Sequence, residues 1–227
     1  IQGVAPSFIR LQLDTLFDDV EIAACKIGML GTADIARAVA DGLQAPVTAG
    51  ALRHRVLDPV MVAKSGDALL EPAAVSMLKD AVLPLATLIT PNLPEAGVLL
   101  DRRPPDSLAE MRRAAERLRR MMSDDGERWV LVKGGHLSGE PVDLLHDGDR
   151  MIELTAPRIE TRNSHGTGCT LSAAIAALLP QRGDVPAAVA EAKRYLTAAM
   201  AAADRLSVGR TGQGHGPVHH FYHGWGR

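Results

Sequence analysis

The sequence predicts an α/β fold: a mainly parallel central sheet with helices on both faces. Two observations carry that prediction. Compact apolar runs at 21–27, 55–60, 87–90 and 129–133 alternate with helical patterns at 33–43, 71–82 and 107–122, which is βαβ alternation. The residues with chemical potential also fall where those runs end, and ligands of such sheets collect at the carboxyl ends of the strands. The helical stretch 107–122 illustrates the pattern. Met111, Ala114, Ala115 and Leu118 are spaced to face a core, while Arg112, Arg113, Arg117, Arg119 and Arg120 interleave as a solvated face. After Lys133 the pattern changes: 142–146 and 151–155 flank Asp147-Gly148-Asp149, a hairpin at the sheet edge. Two helices follow, 170–179 and 186–206, and the Ala-rich stretch 198–203 reads as a tightly packed part of the second.

Composition bounds the function. With 227 residues, 46% hydrophobic and 23% charged, the chain can bury one sizeable core, so a single domain over 1–227 is expected. A net charge of -2 and 3% aromatics offer neither a basic groove nor a stacking platform, so nucleic acid is not an expected partner. No apolar run approaches a membrane span and no signal-peptide pattern occurs, so no membrane association is expected. Cys25 and Cys169 are the only cysteines; they read as reduced thiols rather than a disulfide, which places the protein in the cytoplasm. The first residue is Ile, and the chain opens with a short polar stub and then a helix, as a fragment would.

The most informative segment is Asn163-Ser164-His165-Gly166-Thr167-Gly168-Cys169-Thr170, which runs straight into the apolar stretch 171–179. Its glycines let the backbone N–H groups of Gly166, Thr167, Gly168 and Cys169 converge, and the following helix aims the positive end of its dipole there. Such a point holds a phosphate or a developing anion, and Cys169 can accept a proton from an alcohol or hold one in a hydrogen bond. A Gly-rich turn carrying a small buried cysteine is the plainer alternative.

Three strand ends supply further groups. Asp58 precedes Pro59, which cannot continue a ladder, so its carboxylate belongs at the mouth of the sheet, either facing a metal or capping a nearby N–H. In Thr90-Pro91-Asn92-Leu93-Pro94-Glu95, Asn92 can cap a helix begun by Pro94, and capping alone accounts for both Asn92 and Glu95. Asp58 and Glu95 together are also the two acids needed to hold Mg²⁺, largely through water, beside a nucleotide. Lys133, just before Gly134-Gly135-His136, either pairs with phosphates in the same crevice or snorkels at its strand end. Acid, acid, lysine, N–H cradle and thiol are the parts of a phosphoryl-transfer site. Neither a Walker A loop nor the glycine-rich and catalytic loops of protein kinases occur.

These strand-end segments, with Lys26-Ile27-Gly28-Met29-Leu30, Leu57 to Asp67, Asn163 to Thr170 and Gly214 to His220, closely resemble the hydroxymethylpyrimidine/phosphomethylpyrimidine kinases of thiamine biosynthesis. The resemblance covers the whole chain in consistent order. It implies a ribokinase-like fold, and a family N-terminal strand and Gly/Ser-rich turn that have no counterpart in this chain. Most of that superfamily have Asp after Gly-Thr-Gly, whereas Cys169 matches the usual choice of the pyrimidine kinases. The resemblance further implies Cys169 as catalytic base or acceptor-hydroxyl partner and Gly166, Thr167 and Gly168 as the anion hole. Asp58 and Glu95 are implied for Mg²⁺, Asn92 and Lys133 with Thr167 and Gly168 for ATP, and Met29 and Val60 with Cys169 for a small-molecule pyrimidine. Segment 214–220 is implied to pack near the nucleotide side. A homodimer is implied, with two successive ATP-dependent phosphorylations of 4-amino-5-hydroxymethyl-2-methylpyrimidine. A pyridoxal kinase of the same superfamily, or a homologue that binds pyrimidine without catalysis, are the competing expectations. Four histidines at 215, 219, 220 and 223 lack cysteine or carboxylate partners at ligand spacing, so zinc is not expected.

Overall fold

A computed structural model describes residues 2–61, 69–135, 137, 141–208 and 214–225. Six strands among them form one sheet, ordered across it as they occur in the chain: β1 Ala24–Ile27, β2 His54–Leu57, β3 Leu88–Ile89, β4 Trp129–Val132, β5 Val142–His146 and β6 Met151–Thr155. The first four are parallel and the last two antiparallel, as the βαβ alternation and the hairpin signal predict. The helices are α1 Pro6–Asp19, α2 Ala33–Thr48, α3 Pro72–Met77, α4 Leu93–Leu99, α5 Leu108–Met121, α6 Thr167–Arg182 and α7 Val185–Ala201.

Strand side chains alternate between two cores, which is why the apolar runs are continuous rather than amphipathic. Leu57, Ile89, Val130, Val132 and Leu144 face α2 to α5. Val56, Leu88, Trp129, Leu131 and Leu145 face α6 and α7, packing on Leu171, Ile175, Leu179 and Val189. Side chains of this size stabilise a fold by roughly 1.5–3 kcal/mol each when fully buried, so the two layers fix where every strand ends.

Several element limits differ from the sequence expectation. The helix expected at 170–179 starts at Thr167, because Gly166 adopts a left-handed conformation (φ 79°) that only glycine takes cheaply and so ends the preceding loop three residues earlier. The helix expected over 71–82 is α-helical only to Met77 and then widens into a π-helical turn, Leu78–Val82, before a 3₁₀ turn containing Pro84. The helix expected over 186–206 gives way after Ala201 to a 3₁₀ turn at Ala203–Arg205, whereas α2 runs on to Thr48 with Pro46 inside it. Residues 62–67 of the Leu57-to-Asp67 segment, and His136, lie outside the described residues.

Candidate active site

Period-two alternation places the polar strand-end residues on one face. Lys26 is level with Val56 in the β1–β2 register, and Val56 points toward α6. Asp58, two residues beyond Val56, and Thr90, two beyond Leu88, point the same way, as does Lys133, two beyond Leu131. The N-terminal turn of α6 covers this row.

Asp58 is the hub. It is buried, with 1% of its surface exposed. Oδ1 accepts from Lys133 Nζ at 2.9 Å and from Thr90 Oγ1 at 3.1 Å, and Oδ2 accepts from Ser172 Oγ at 3.3 Å. Lys26 Nζ stands 4.0 Å from Oδ2. Thus its carboxylate is met by side chains from four other elements rather than capping a backbone N–H, and two ammonium groups flank one carboxylate. Gly168 lies directly over this group: a Cβ there would sit 3.2 Å from Lys133 Nζ and 3.8 Å from Asp58 Oδ2.

Asn92 and Glu95 form a reciprocal capping box at the start of α4. Asn92 Oδ1 accepts from the Glu95 N–H at 2.9 Å, and Glu95 Oε2 accepts from the Asn92 N–H at 2.8 Å. A parallel bridge pairs Asn92 with Lys133, so capping also brings Glu95 to the crevice. Burial pushes the Glu95 carboxyl pKa up, and repulsion from Asp58 adds to this, against the opposing pull of Lys133 and of the Asn92 and Met61 N–H groups. Two carboxylates beside a lysine are hard oxygen donors that suit Mg²⁺, and they leave most of its six positions to water and phosphate oxygens. The donor set therefore fits an ion arriving with a nucleotide.

The first turn of α6 has no side-chain cap, in contrast to α2, α5 and α7, which Thr32, Ser107 and Asp184 cap. The N–H groups of Gly166, Thr167, Gly168 and Cys169 are left without a backbone partner among the described residues, so this helix end can accept an anion. It opens on a cavity of about 330 Å³ lined by Asn92, Lys133, Thr167 and Gly168 on one side and by Ile159, Leu196 and Met200 on the other. Asp143, bonded to the Gly134 N–H at 2.9 Å and paired with Lys193, closes its far wall.

Cys169 points elsewhere. Its exposed thiol lines a groove of about 540 Å³ along α6 with Ala173, Tyr195 and His220. Met29, 42% exposed, and the half-buried Val60 follow the neighbouring strands β1 and β2. The structure thus brings Asn92, Lys133, Thr167 and Gly168 around one cavity, with Asp58 behind Lys133 and Glu95 behind Asn92, and it does not bring Met29, Val60 and Cys169 together: Cys169 lines the separate groove along α6.

A family profile described as phosphomethylpyrimidine kinase matches residues 1–219. The chain belongs to the phosphomethylpyrimidine kinase family. A hydroxymethylpyrimidine/phosphomethylpyrimidine kinase of Rhizobium meliloti (strain 1021) is 50% identical over 226 residues, 99% of this chain and 80% of that protein. Among solved structures, an ADP complex of Bacillus subtilis pyridoxal kinase matches with a TM-score of 0.81 at 32% identity, covering 96% of this chain and 77% of that one. The phosphomethylpyrimidine kinase of Clostridium difficile 630 matches with a TM-score of 0.74 at 32% identity, over 88% of this chain and 78% of that one. The ribokinase-like architecture expected from the sequence is the fold of these relatives.

Within this member of the family, Thr90 and Ser172 hold Asp58, yet no local pattern announces them, because they lie 32 and 114 residues away from it. Asn163 acts behind the Gly-rich turn: Nδ2 donates to the Ala203 carbonyl at 3.3 Å and to Asp204 Oδ1 at 2.9 Å. The C-terminal segment follows the same turn, the His165 N–H reaching the Gly216 carbonyl at 3.1 Å and the His219 N–H that of Ala199 at 3.0 Å. His220 then lies on the Cys169 groove, and the cavity beside Lys133 is lined by other residues.

Proposed function

We propose that this protein transfers the terminal phosphoryl group of ATP to the hydroxymethyl oxygen of 4-amino-5-hydroxymethyl-2-methylpyrimidine, and a second one to the resulting monophosphate, in thiamine biosynthesis. The observation that carries the reading is the uncapped first turn of α6 set over the Lys133–Asp58 pair, with Gly168 close against both. Charge develops on the transferring phosphoryl oxygens, and donors fixed in advance need no reorganisation when it does. Asn92 and Lys133 hold the nucleotide phosphates, Asp58 aims Lys133, and the Thr167, Gly168 and Cys169 N–H groups with that of Gly166 receive the moving group. The apolar wall of Ile159, Leu196 and Met200 suits a base. Met29 and Val60 take the pyrimidine, and the Cys169 thiol, once turned from the α6 groove toward the N-terminus of α6, serves the acceptor oxygen as proton acceptor or hydrogen-bond partner.

A magnesium ion bound with the nucleotide supplies charge neutralisation at the phosphates, and Asp58 and Glu95 are the residues that would hold it through water. The same reading makes residues 1–227 a single kinase domain that acts as a homodimer in the cytoplasm. Light scattering of the purified protein checks the oligomeric state.

The likeness to pyridoxal kinase structures favours one second reading, phosphorylation of pyridoxal, which also presents a hydroxymethyl group on a six-membered aromatic ring. A mass-spectrometric time course with Mg-ATP and an equal mixture of the pyrimidine alcohol and pyridoxal separates the two. Mono- and then diphosphorylated pyrimidine is the expected result. Pyridoxal phosphate as the sole product would replace the first reading with the second, and ligand binding without ADP release would make the protein a non-catalytic homologue.

A further inference from the structure

We propose that Lys26 binds the phosphate of the monophosphorylated acceptor and so serves the second phosphorylation more than the first, an inference that rests on the two-step reading above. The side chain leaves β1 on the α6 face and runs along Gly28, whose missing Cβ makes the path possible: a Cβ there would lie 2.5 Å from Lys26 Nζ. The ammonium ends 4.0 Å from Asp58 Oδ2, beyond hydrogen-bond reach. Both Asp58 oxygens are already engaged by Lys133, Thr90 and Ser172. Lys26 Nζ therefore has three N–H donors and no hydrogen-bond acceptor among the described residues, although its side chain is only 21% exposed. An ammonium on a largely buried side chain in that condition calls for an anion or water from outside the chain.

Position decides which anion. Strand order puts β1 and β4 on opposite sides of β2, so Lys133 reaches Asp58 from the nucleotide cavity and Lys26 from the side of Met29 and Val60. The two acceptors differ chiefly in charge. The first is a neutral alcohol that must lose a proton. The second is a phosphate ester of about −1.5 to −2 near pH 7, one of whose oxygens forms the new bond to the γ-phosphorus as the bond to the ADP oxygen breaks. The dianion surrenders no proton, but it must approach both the nucleotide phosphates and Asp58. A cation on the acceptor side offsets that repulsion, and the first reaction has less need of it.

The test compares wild type, Lys26→Met and Lys26→Arg with Mg-ATP and either the pyrimidine alcohol or its monophosphate as acceptor. Wild type should use both, and failure to use either sinks the two-step reading itself. In Lys26→Met, kcat/KM for the monophosphate should fall about 30-fold further than for the alcohol, mainly through KM, with Lys26→Arg recovering most of the difference. Losses equal within about threefold, or a larger loss for the alcohol, would overturn the assignment. Calorimetric titration of Lys26→Met with the monophosphate alone provides a readout without turnover. Binding about 30-fold weaker than wild type is expected, and unchanged affinity would sink the proposal.

Discussion

Lys133 and Lys26 approach the same carboxylate and are held very differently. Lys133 makes a 2.9 Å hydrogen bond to Asp58 and is pinned further by the Asn92 bridge and by Gly168 above it. Lys26 stops at 4.0 Å, with no hydrogen-bond acceptor for its donors among the described residues. The contrast extends outward: Asn92 of the capping box and the Asp143–Lys193 pair line the cavity beside Lys133, whereas Met29, beyond the end of β1, is exposed. On the proposed function, a group common to every turnover is thus organised before any ligand arrives, and the acceptor side is left for the acceptor to complete. Preorganisation matters most where charge develops in the transition state.

The largest effect should come from the pinned lysine. Lys133→Met is expected to lower kcat/KM about 10³-fold for either acceptor, measured as ADP release; a loss under tenfold would break the comparison. Next, Gly168→Ala places a methyl group 3.2 Å from Lys133 Nζ, and kcat should fall about 10²-fold. An unimpaired variant would mean that the α6 turn is not the receiving site. Cys169→Ala should cost about 10²-fold in turnover while Mg-ATP affinity stays close to wild type, so matching turnover would remove the thiol from the mechanism. The smallest change is expected from Asn92→Ala, which removes one half of the capping box at a cost of about 1 kcal/mol in urea unfolding. A much larger loss would show that the nucleotide side depends on that box for its fold.

The two thiols sharpen the same comparison through pH. Burial pushes the Cys25 thiol up to about 11 against an opposing pull from Arg55, which is less than the burial effect. Cys25 should therefore stay unmodified by a thiol reagent at pH 8 while the exposed Cys169 reacts, giving one equivalent per folded chain. Because the folded-state value lies above the unfolded 9.0, the unfolded chain loses this proton first. Stability should fall as pH rises from 9.0 toward 11, and the second thiol should appear together with unfolding.

Much of this was legible in the sequence because the sheet is buried on both faces: uninterrupted apolar runs such as 129–132 announce β4, and Asp58, Asn92 and Lys133 stand where such runs stop. The helix start at Thr167 was harder to read, since the left-handed turn at Gly166 depends on how the loop meets the sheet. Arg55 shows why burial cannot be read from residue type. It is a charged residue inside β2, 6% exposed, whose guanidinium donates to the carbonyls of Leu85, Leu52 and Arg53, groups up to 30 residues away. Likewise Thr90 and Ser172 become site residues only when β3 and α6 converge on Asp58, a long-range event with no local signature.

Gly28 carries a consequence for inheritance. The atom that a side chain there would strike is the tip of a flexible lysine, so alanine at 28 would leave β1 folded and merely swing the ammonium off its path. Positions 26 and 28 should therefore travel through evolution as a couple. Kinases of this architecture whose acceptors never carry a phosphate are free to fill position 28, and where they have done so the long cation at 26 should have gone with it.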